Sequence, residues 1–152
     1  DLGYTLTSVQ DTQLGFTGVL KLSGPNRTAA YGEDIPWLSL DVRLETATRM
    51  RFRIKDANAQ RHTVPMKMPY VARKQKKTDY RVSVTTSPFG LAVTRESTGT
   101  TVFNSTFGAL VYLPQFLQIS TTVPSTNVYG LGERTGKLRL NFDWQKIVMF
   151  AS

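Results

Sequence analysis

The stretch WLSLDVRLETATRMRFRIKD, residues 37–56, decides the fold class. Apolar side chains occupy every second position in both of its halves: Leu38, Leu40, Val42, Leu44, Met50, Phe52 and Ile54. A period of two is that of a β-strand that buries one face. The link at 45–48 is short, so the stretch predicts two strands that pair as an antiparallel hairpin.

The same alternation recurs on both sides of this hairpin. Further strands are predicted at 3–10, 15–24, 80–86, 91–97, 100–105, 109–113 and 116–123, with a last apolar strand in 143–152. Turn residues separate them, and no window keeps a helical period with caps. Short, regularly spaced strands predict an all-β antiparallel sandwich. A length of 152 residues predicts a single domain, 1–152.

Composition excludes several classes of protein. The chain has no cysteine and one histidine, which excludes a disulfide scaffold and a cysteine nucleophile and argues against a zinc site. We therefore expect neither a metal nor a cofactor. His62 stands in a polar turn without the partners of a catalytic triad. No apolar run approaches the roughly 18 residues of a membrane helix, so we expect no membrane contact from this segment.

The net charge of +8 is concentrated in one region. Residues 43–81 contain twelve basic and three acidic residues, a local balance of +9. The predicted basic patch, which would hold an anionic polymer, consists of Arg49, Arg51, Arg53, Arg73, Lys74, Lys76 and Lys77. A solvated strand face is the alternative interpretation. Nucleic acid is not an expected partner, because Phe52 points away from the arginines of its strand.

Tyr-Gly-Leu-Gly-Glu at 129–133 needs an explanation of its own. A dinucleotide-binding fingerprint requires a third glycine where Thr135 stands, and a helix after it. The glycines therefore predict a sharp structural corner. In that corner we expect Glu133 to be anchored by backbone amides or by an arginine such as Arg134 or Arg139.

The remaining acidic residues show no spacing that indicates a pair of catalytic carboxylates. We predict solvated charges on strand faces and in turns for Asp34, Asp41, Asp56 and Asp79. Two sequons, at Asn26 and Asn104, predict N-glycosylation of a chain in the secretory pathway, with chance triplets as the alternative.

Several ordered motifs together resemble glycoside hydrolase family 31, the α-glucosidases. They are LGYTLT near the start, the block LSLDVRLETATRMRFRIKDANAQRHTVP, the block SPFGLAVTRESTGTTVFNST, and QFLQISTTVPSTNVYGLGER. The resemblance covers about 140 residues, and it is to the N-terminal, galactose mutarotase-like β-sandwich domain of that family.

The resemblance implies a non-catalytic role for this chain. In the family the nucleophile and the acid/base lie on a (β/α)₈ barrel, which would follow this segment, so no catalytic residue is expected here. Glu133, Trp144 and Phe150 match positions close to the sugar pocket. Ala151 and Ser152 depart from the usual sequence, and the sugar-binding aspartate of the family would come at the next position.

The expected parent is thus a retaining enzyme that hydrolyses terminal α-linked glucose. The partners implied are the barrel of the same chain and, through it, an α-glucoside or oligosaccharide. The implied location is the secretory pathway: lysosomal, cell-surface or extracellular. Two alternatives stay open. One is a free-standing secreted binding module that holds an acidic partner or a glycan with the basic hairpin, and the other is a glucosidase-derived pseudoenzyme subunit.

Overall fold

The structure is a computed structural model, and it describes residues 3–24, 32–72, 77–131, 133–141, 143–144 and 146–147. The strands in these ranges are β1 Tyr4–Asp11, β2 Gly15–Leu22, β3 Trp37–Thr46, β4 Arg49–Asp56, β5 Tyr80–Thr85, β6 Gly90–Arg95, β7 Thr100–Asn104, β8 Val111–Tyr112 and β9 Leu117–Gln118. The described residues contain no helix, and so none that is long and apolar enough to cross a membrane.

The strands form three antiparallel sheets. One sheet has the order β1-β2-β3-β4, a second has the order β5-β6-β7, and β8 pairs with β9. In the predicted hairpin Leu40 pairs with Ile54 and Val42 with Phe52, so the hairpin is confirmed. The all-β sandwich-like fold predicted from the alternation is confirmed as well.

The chain divides into two compact units. Unit 1 spans Asp1–Thr122 and contains all the strands named above, whereas unit 2 spans Val123–Ser152 and contains an isolated bridge between Tyr129 and Arg139. The prediction that 1–152 form one domain stays a prediction. Of the strand predicted in 143–152, the described residues 143–144 and 146–147 adopt no strand, and the other positions lie outside the described residues.

The core of unit 1 joins side chains from the first two sheets. Leu38, Leu40 and Val42 of β3 are fully buried, and they belong to one cluster with Leu91 and Val93 of β6. Phe52 of β4 and Phe103 of β7 add an aromatic contact between the sheets, with ring centroids 5.2 Å apart. Period-two alternation on both sheets thus supplies the two apolar faces that a sandwich requires.

Backbone hydrogen bonds also connect β1 to the segment that leads into β6. The Leu6 amide donates to the Thr86 carbonyl oxygen at 2.9 Å, and the Phe89 amide donates to the Tyr4 carbonyl oxygen at 2.6 Å. The Tyr4 hydroxyl lies in the core and donates to the Ile35 carbonyl oxygen at 2.8 Å. Burial is the main cause that raises the pKa of Tyr4 above its ordinary value. The hydroxyl thus acts as a hydrogen-bond donor inside the core.

Two serine hydroxyls, in β3 and directly after β7, differ in whether they have hydrogen-bond partners. The Ser39 Oγ in β3 is buried and has no hydrogen-bond partner within the described part of the chain. The Ser105 Oγ accepts from the Leu91 amide at 2.9 Å and donates to the Leu91 carbonyl oxygen at 3.3 Å. A buried hydroxyl without a partner destabilises the fold, whereas removing a partner leaves a buried backbone donor unsatisfied.

Replacement of each serine by alanine should therefore change stability in opposite directions. We expect Ser39→Ala to leave the free energy of unfolding unchanged or to raise it by up to about 1 kcal/mol, and Ser105→Ala to lower it by about 1–3 kcal/mol. Urea unfolding at 25 °C, followed by tryptophan fluorescence, measures both. Equal destabilisation by the two substitutions would contradict the assignment of Ser39 as an unsatisfied hydroxyl.

Candidate functional site

The basic side chains of β4 lie on the outer face of the first sheet. Met50, Phe52 and Ile54 pack against the core, and because side chains alternate along a strand, the intervening arginines and Lys55 point the other way. The sequence predicted this division of β4 correctly. It did not predict how the charges on the outer face are paired.

Glu45 pairs with two arginines at the turn end of the hairpin. Its side chain is only 3% exposed. One carboxylate oxygen lies 2.8 Å from the Arg49 Nε, and the other lies 3.2 Å from the Arg51 Nε. A carboxylate this deeply buried is tolerated when cations and hydrogen bonds compensate for the lost water. Two of the predicted patch arginines are thus partly neutralised inside the protein.

The positive charge further along β4 is more available. The Arg53 Nη2 donates to the Thr63 hydroxyl at 2.7 Å, and Lys55 has no hydrogen-bond or ion-pair partner among the described residues. Both side chains line a shallow trough of about 790 Å³ on the outer face of the sheet. Asp41 and Arg43 line it as well, and they pair with each other at 2.8 Å. Three of the four charged side chains in the trough are basic.

The rest of the predicted basic patch is only partly described. Arg73, Lys74 and Lys76 lie outside the described residues, and Lys77 is exposed just after them. The structure therefore brings together Arg49, Arg51 and Arg53 on one strand face. Anion binding by the patch stays a prediction.

Asp56, at the end of β4, organises the loop that follows. One carboxylate oxygen accepts from the Asn58 and Ala59 amides at 2.9 and 3.1 Å. The other accepts from the Arg61 Nη2 at 2.8 Å and the Arg61 Nε at 3.1 Å. The Asn58 amide and the Arg61 guanidinium are the main causes that hold the pKa of Asp56 below its ordinary value.

The prediction that the acidic residues are solvated is therefore wrong for Asp56, which is buried, as is Glu45. A signal was present in the sequence. An aspartate at the end of a predicted strand commonly accepts a hydrogen bond from the backbone amide two residues later, as Asp56 does here.

Asp56→Asn should make the stability of the protein less dependent on pH. In the unfolded chain an aspartate has a pKa of about 3.9, and the native value is lower, so this group stabilises the fold above about pH 4 and loses its contribution as the pH falls through the native pKa. We expect Asp56→Asn to lower the free energy of unfolding by about 2 kcal/mol at pH 7 and by progressively less in acid.

Denaturant unfolding between about pH 2 and pH 7 measures this difference. Asp11→Asn is the matched control, because Asp11 is exposed and its carboxylate has no partner among the described residues. A constant difference between the wild type and Asp56→Asn at every pH would contradict the proposed ionic role.

In unit 2 the Arg134 side chain contacts carbonyl oxygens on both sides of its own position, and its Nε donates to the Gly130 carbonyl oxygen at 3.4 Å. Gly130 and Leu131 have positive φ angles of 99° and 55°. The Arg134 Nη2 donates to the Lys137 and Leu138 carbonyl oxygens at 2.6 and 3.1 Å. Arg134 therefore bridges the turn between its own position and residue 138, and the structural corner predicted for 129–133 stays a prediction.

Glu133 itself is not anchored as expected. The side chain is exposed and has no partner among the described residues. Arg134 donates to the carbonyl oxygens above, and Arg139 donates to the Thr126 carbonyl oxygen at 3.3 Å. Carbonyl oxygens compete with a carboxylate for the same guanidinium donors, and in this corner they hold them.

Trp144 is the other predicted pocket residue that the structure describes. Its side chain is completely exposed, at 102%, and its φ angle of 50° is uncommon for a bulky residue. No described contact joins it to Glu133. Phe150 lies outside the described residues.

Of the two sequons, Asn26 lies outside the described residues, whereas Asn104 ends β7. The Asn104 Oδ1 accepts from the Thr106 amide at 3.0 Å and from the Thr106 hydroxyl at 2.8 Å. The Asn104 Nδ2 has no described hydrogen-bond partner. The described residues also contain no group of three or more potential metal ligands.

The sequence is similar to parts of much longer enzymes. It is 35% identical to lysosomal alpha-glucosidase of Mus musculus over 97% of the chain, and 34% identical to intestinal sucrase-isomaltase of Homo sapiens over the same share. It is 38% identical to alpha-xylosidase 1 of Arabidopsis thaliana over 88% of the chain. The chain is related to the N-terminal β-sandwich domain of glycoside hydrolase family 31.

The chain spans only 15%, 8% and 16% of the lengths of these three family 31 relatives, in the same order. No protein-family model matches the sequence. The resemblance read from the motifs is confirmed by these relatives. Because nearly the whole chain aligns, both units belong to the related segment.

Proposed function

We propose that this chain is a non-catalytic β-sandwich domain of a retaining α-glucosidase. In the parent it would brace the catalytic barrel and shape the rim of the sugar pocket. The observation that carries the proposal is the 35% identity, over 97% of the chain, with 15% of the length of an enzyme named lysosomal alpha-glucosidase. The reaction would be hydrolysis of a terminal α-linked glucose.

The chemistry of the described carboxylates supports a role without catalysis. A retaining glycosidase needs two carboxyl groups about 5–5.5 Å apart, one as nucleophile and one as acid/base. The two buried carboxylates lie at opposite ends of the β3–β4 hairpin, Glu45 near its turn and Asp56 at the end of β4, and each is held by arginine. The Asn58 amide and the Arg61 guanidinium favour the ionised form of Asp56, which cannot donate a proton. The catalytic pair would therefore come from the barrel.

The names of the relatives support the same division of roles. The homologous segment occurs in enzymes named for glucosides, for sucrose and isomaltose, and for xylosides. A domain common to enzymes with different named substrates is better suited to support the pocket than to distinguish the sugar.

Exposed apolar side chains of unit 1, such as Met66, Tyr70 and Phe107, offer surface on which a neighbouring domain could pack.

For the rim of the pocket we propose Glu133, Trp144 and Phe150. Trp144 carries this part of the proposal, because a fully exposed indole on a backbone with positive φ is costly for an isolated chain. An indole also offers the flat apolar face on which a sugar ring packs. Glu133 would support the corner beside it without taking part in the reaction.

The test uses the complete natural polypeptide that carries this sequence. We expect that protein to hydrolyse an aryl α-glucoside with retention, and chain 1–152 alone to give no turnover. Trp144→Ala should raise KM by roughly tenfold with a smaller change in kcat, since a binding contact is lost away from the reacting atoms. Trp37→Ala, a tryptophan on the outer face of β3, is the matched control and should leave KM unchanged.

Three results would contradict the proposal. Turnover by chain 1–152 alone would show that the domain is catalytic. No activity in the complete polypeptide would favour the pseudoenzyme subunit. Equal effects of Trp144→Ala and Trp37→Ala on KM would exclude Trp144 from the rim.

We also propose that the protein is a glycoprotein of the secretory pathway, in a lysosomal, cell-surface or extracellular location. The relatives named lysosomal and intestinal support this. The geometry of Asn104 also supports glycosylation. Its Nδ2 has no described partner, and the Thr106 hydroxyl donates to the Oδ1 of the same side chain.

Asn104→Gln should remove one N-glycan when the protein is made in secretory cells. We expect the intact mass to fall by one oligosaccharide, and the mass difference to disappear after treatment with an N-glycosidase. Thr106→Val removes the sequon without changing Asn104 and should give the same loss. A glycan that persists in both variants would contradict the assignment of this site.

A further inference from the structure

The outer trough of the first sheet has an unbalanced charge. Its lining contains Arg43, Arg53, Lys55 and Asp41. Asp41 lies opposite Arg53 in the strand register, but its carboxylate accepts from the Arg43 Nε at 2.8 Å. Arg53 and Lys55 are thus without a carboxylate partner among the described residues, although they lie two positions apart on the same strand face.

The neighbouring part of the same face is balanced differently. Arg49 and Arg51 lie further along the same row, and both contact the buried Glu45. Positive charge without compensation is therefore restricted to the trough end of the hairpin. A concave surface with an excess of one charge attracts ligands of the opposite charge.

Polar, uncharged groups form the remainder of the trough. Gln10, Thr12, Gln13 and Thr17 from β1, β2 and their connection line it, and the Gln10 side-chain amide is exposed and has no described partner. Amides and hydroxyls both donate and accept, so they are suited to the hydroxyl groups of a sugar. No aromatic ring lines the trough on which a nucleic acid base would stack.

We propose that this trough is a binding site for an acidic polysaccharide, a polyhydroxylated chain that carries carboxylate or sulfate groups. Arg53 and Lys55 hold the anionic groups through charge-assisted hydrogen bonds. Gln10 and Thr17 contact the ring hydroxyls. The site lies on the sheet face opposite to the core, and it does not depend on the proposed glucosidase activity.

Binding is measured on the complete natural polypeptide with three immobilised polymers: heparin, polygalacturonate and neutral dextran. We expect heparin and polygalacturonate to bind, dextran not to bind, and the affinity to fall with added NaCl. The double variant Arg53→Gln, Lys55→Gln should lose at least roughly tenfold in affinity, as expected when charge-assisted hydrogen bonds are removed. Gln10→Ala should lose a few-fold.

The matched control is the pair Lys67→Gln, Arg81→Gln, which removes the same charge. Lys67 is exposed and does not line the trough, and Arg81 lies on β5 of the other sheet and pairs with Glu96. The control should bind nearly as the wild type does, and circular dichroism and Tm show that each variant folds.

Equal losses in both double variants would overturn the proposal, since they would indicate an effect of net charge alone. Failure of the wild type to bind either acidic polysaccharide would overturn it too. Binding of polyglutamate as tightly as heparin, with no effect of Gln10→Ala, would instead assign the trough to acidic peptides.

Discussion

The structure depends on the burial of one face of β3. Leu38, Leu40 and Val42 are fully buried, and they belong to one cluster with Tyr4 of β1, Leu20 of β2, and Leu91 and Val93 of β6. Because side chains alternate, a slip of one residue in the register would expose the whole row. The pairs Leu40 with Gly18 of β2 and with Ile54 of β4 fix that register on both sides.

The same constraint determines where the charges lie. If the leucines of β3 face the core, Asp41 and Arg43 face outward, beside the arginines of β4. Glu45 lies at the irregular register between Leu44 and Thr46, where it contacts Arg49 and Arg51. In this register Arg43 is directly opposite Arg51, an arrangement of like charges that destabilises a sheet. Both arginines are paired with a carboxylate of β3: Asp41 pairs with Arg43 on the same strand, and Glu45 pairs with Arg51 across the hairpin. The carboxylates are therefore part of the pairing of the hairpin.

The sequence alone predicted the strands and the hairpin, because a period of two over several residues reflects burial directly. It failed where the outcome depends on which groups meet in space. The burial of Glu45 depends on the return of β4 alongside β3. Glu133 has no partner among the described residues, and the guanidinium of Arg134 donates to carbonyl oxygens. The resemblance to family 31 rests on the order of several motifs along the chain, and it does not identify which side chains contact each other.

The two ends of the β3–β4 hairpin differ in how their basic side chains are paired with carboxylates. Stability alone would favour a carboxylate beside Arg53 and Lys55, as Glu45 provides for Arg49 and Arg51. Unpaired like charges two positions apart on a strand repel each other weakly in water. The trough is the part of the face where this repulsion is left uncompensated, and an anionic ligand would supply the missing charge. The hairpin pairs its cations with Glu45 at one end, and at the other end Arg53 and Lys55 have no carboxylate partner among the described residues. Structural charge is thus separated from charge available for binding.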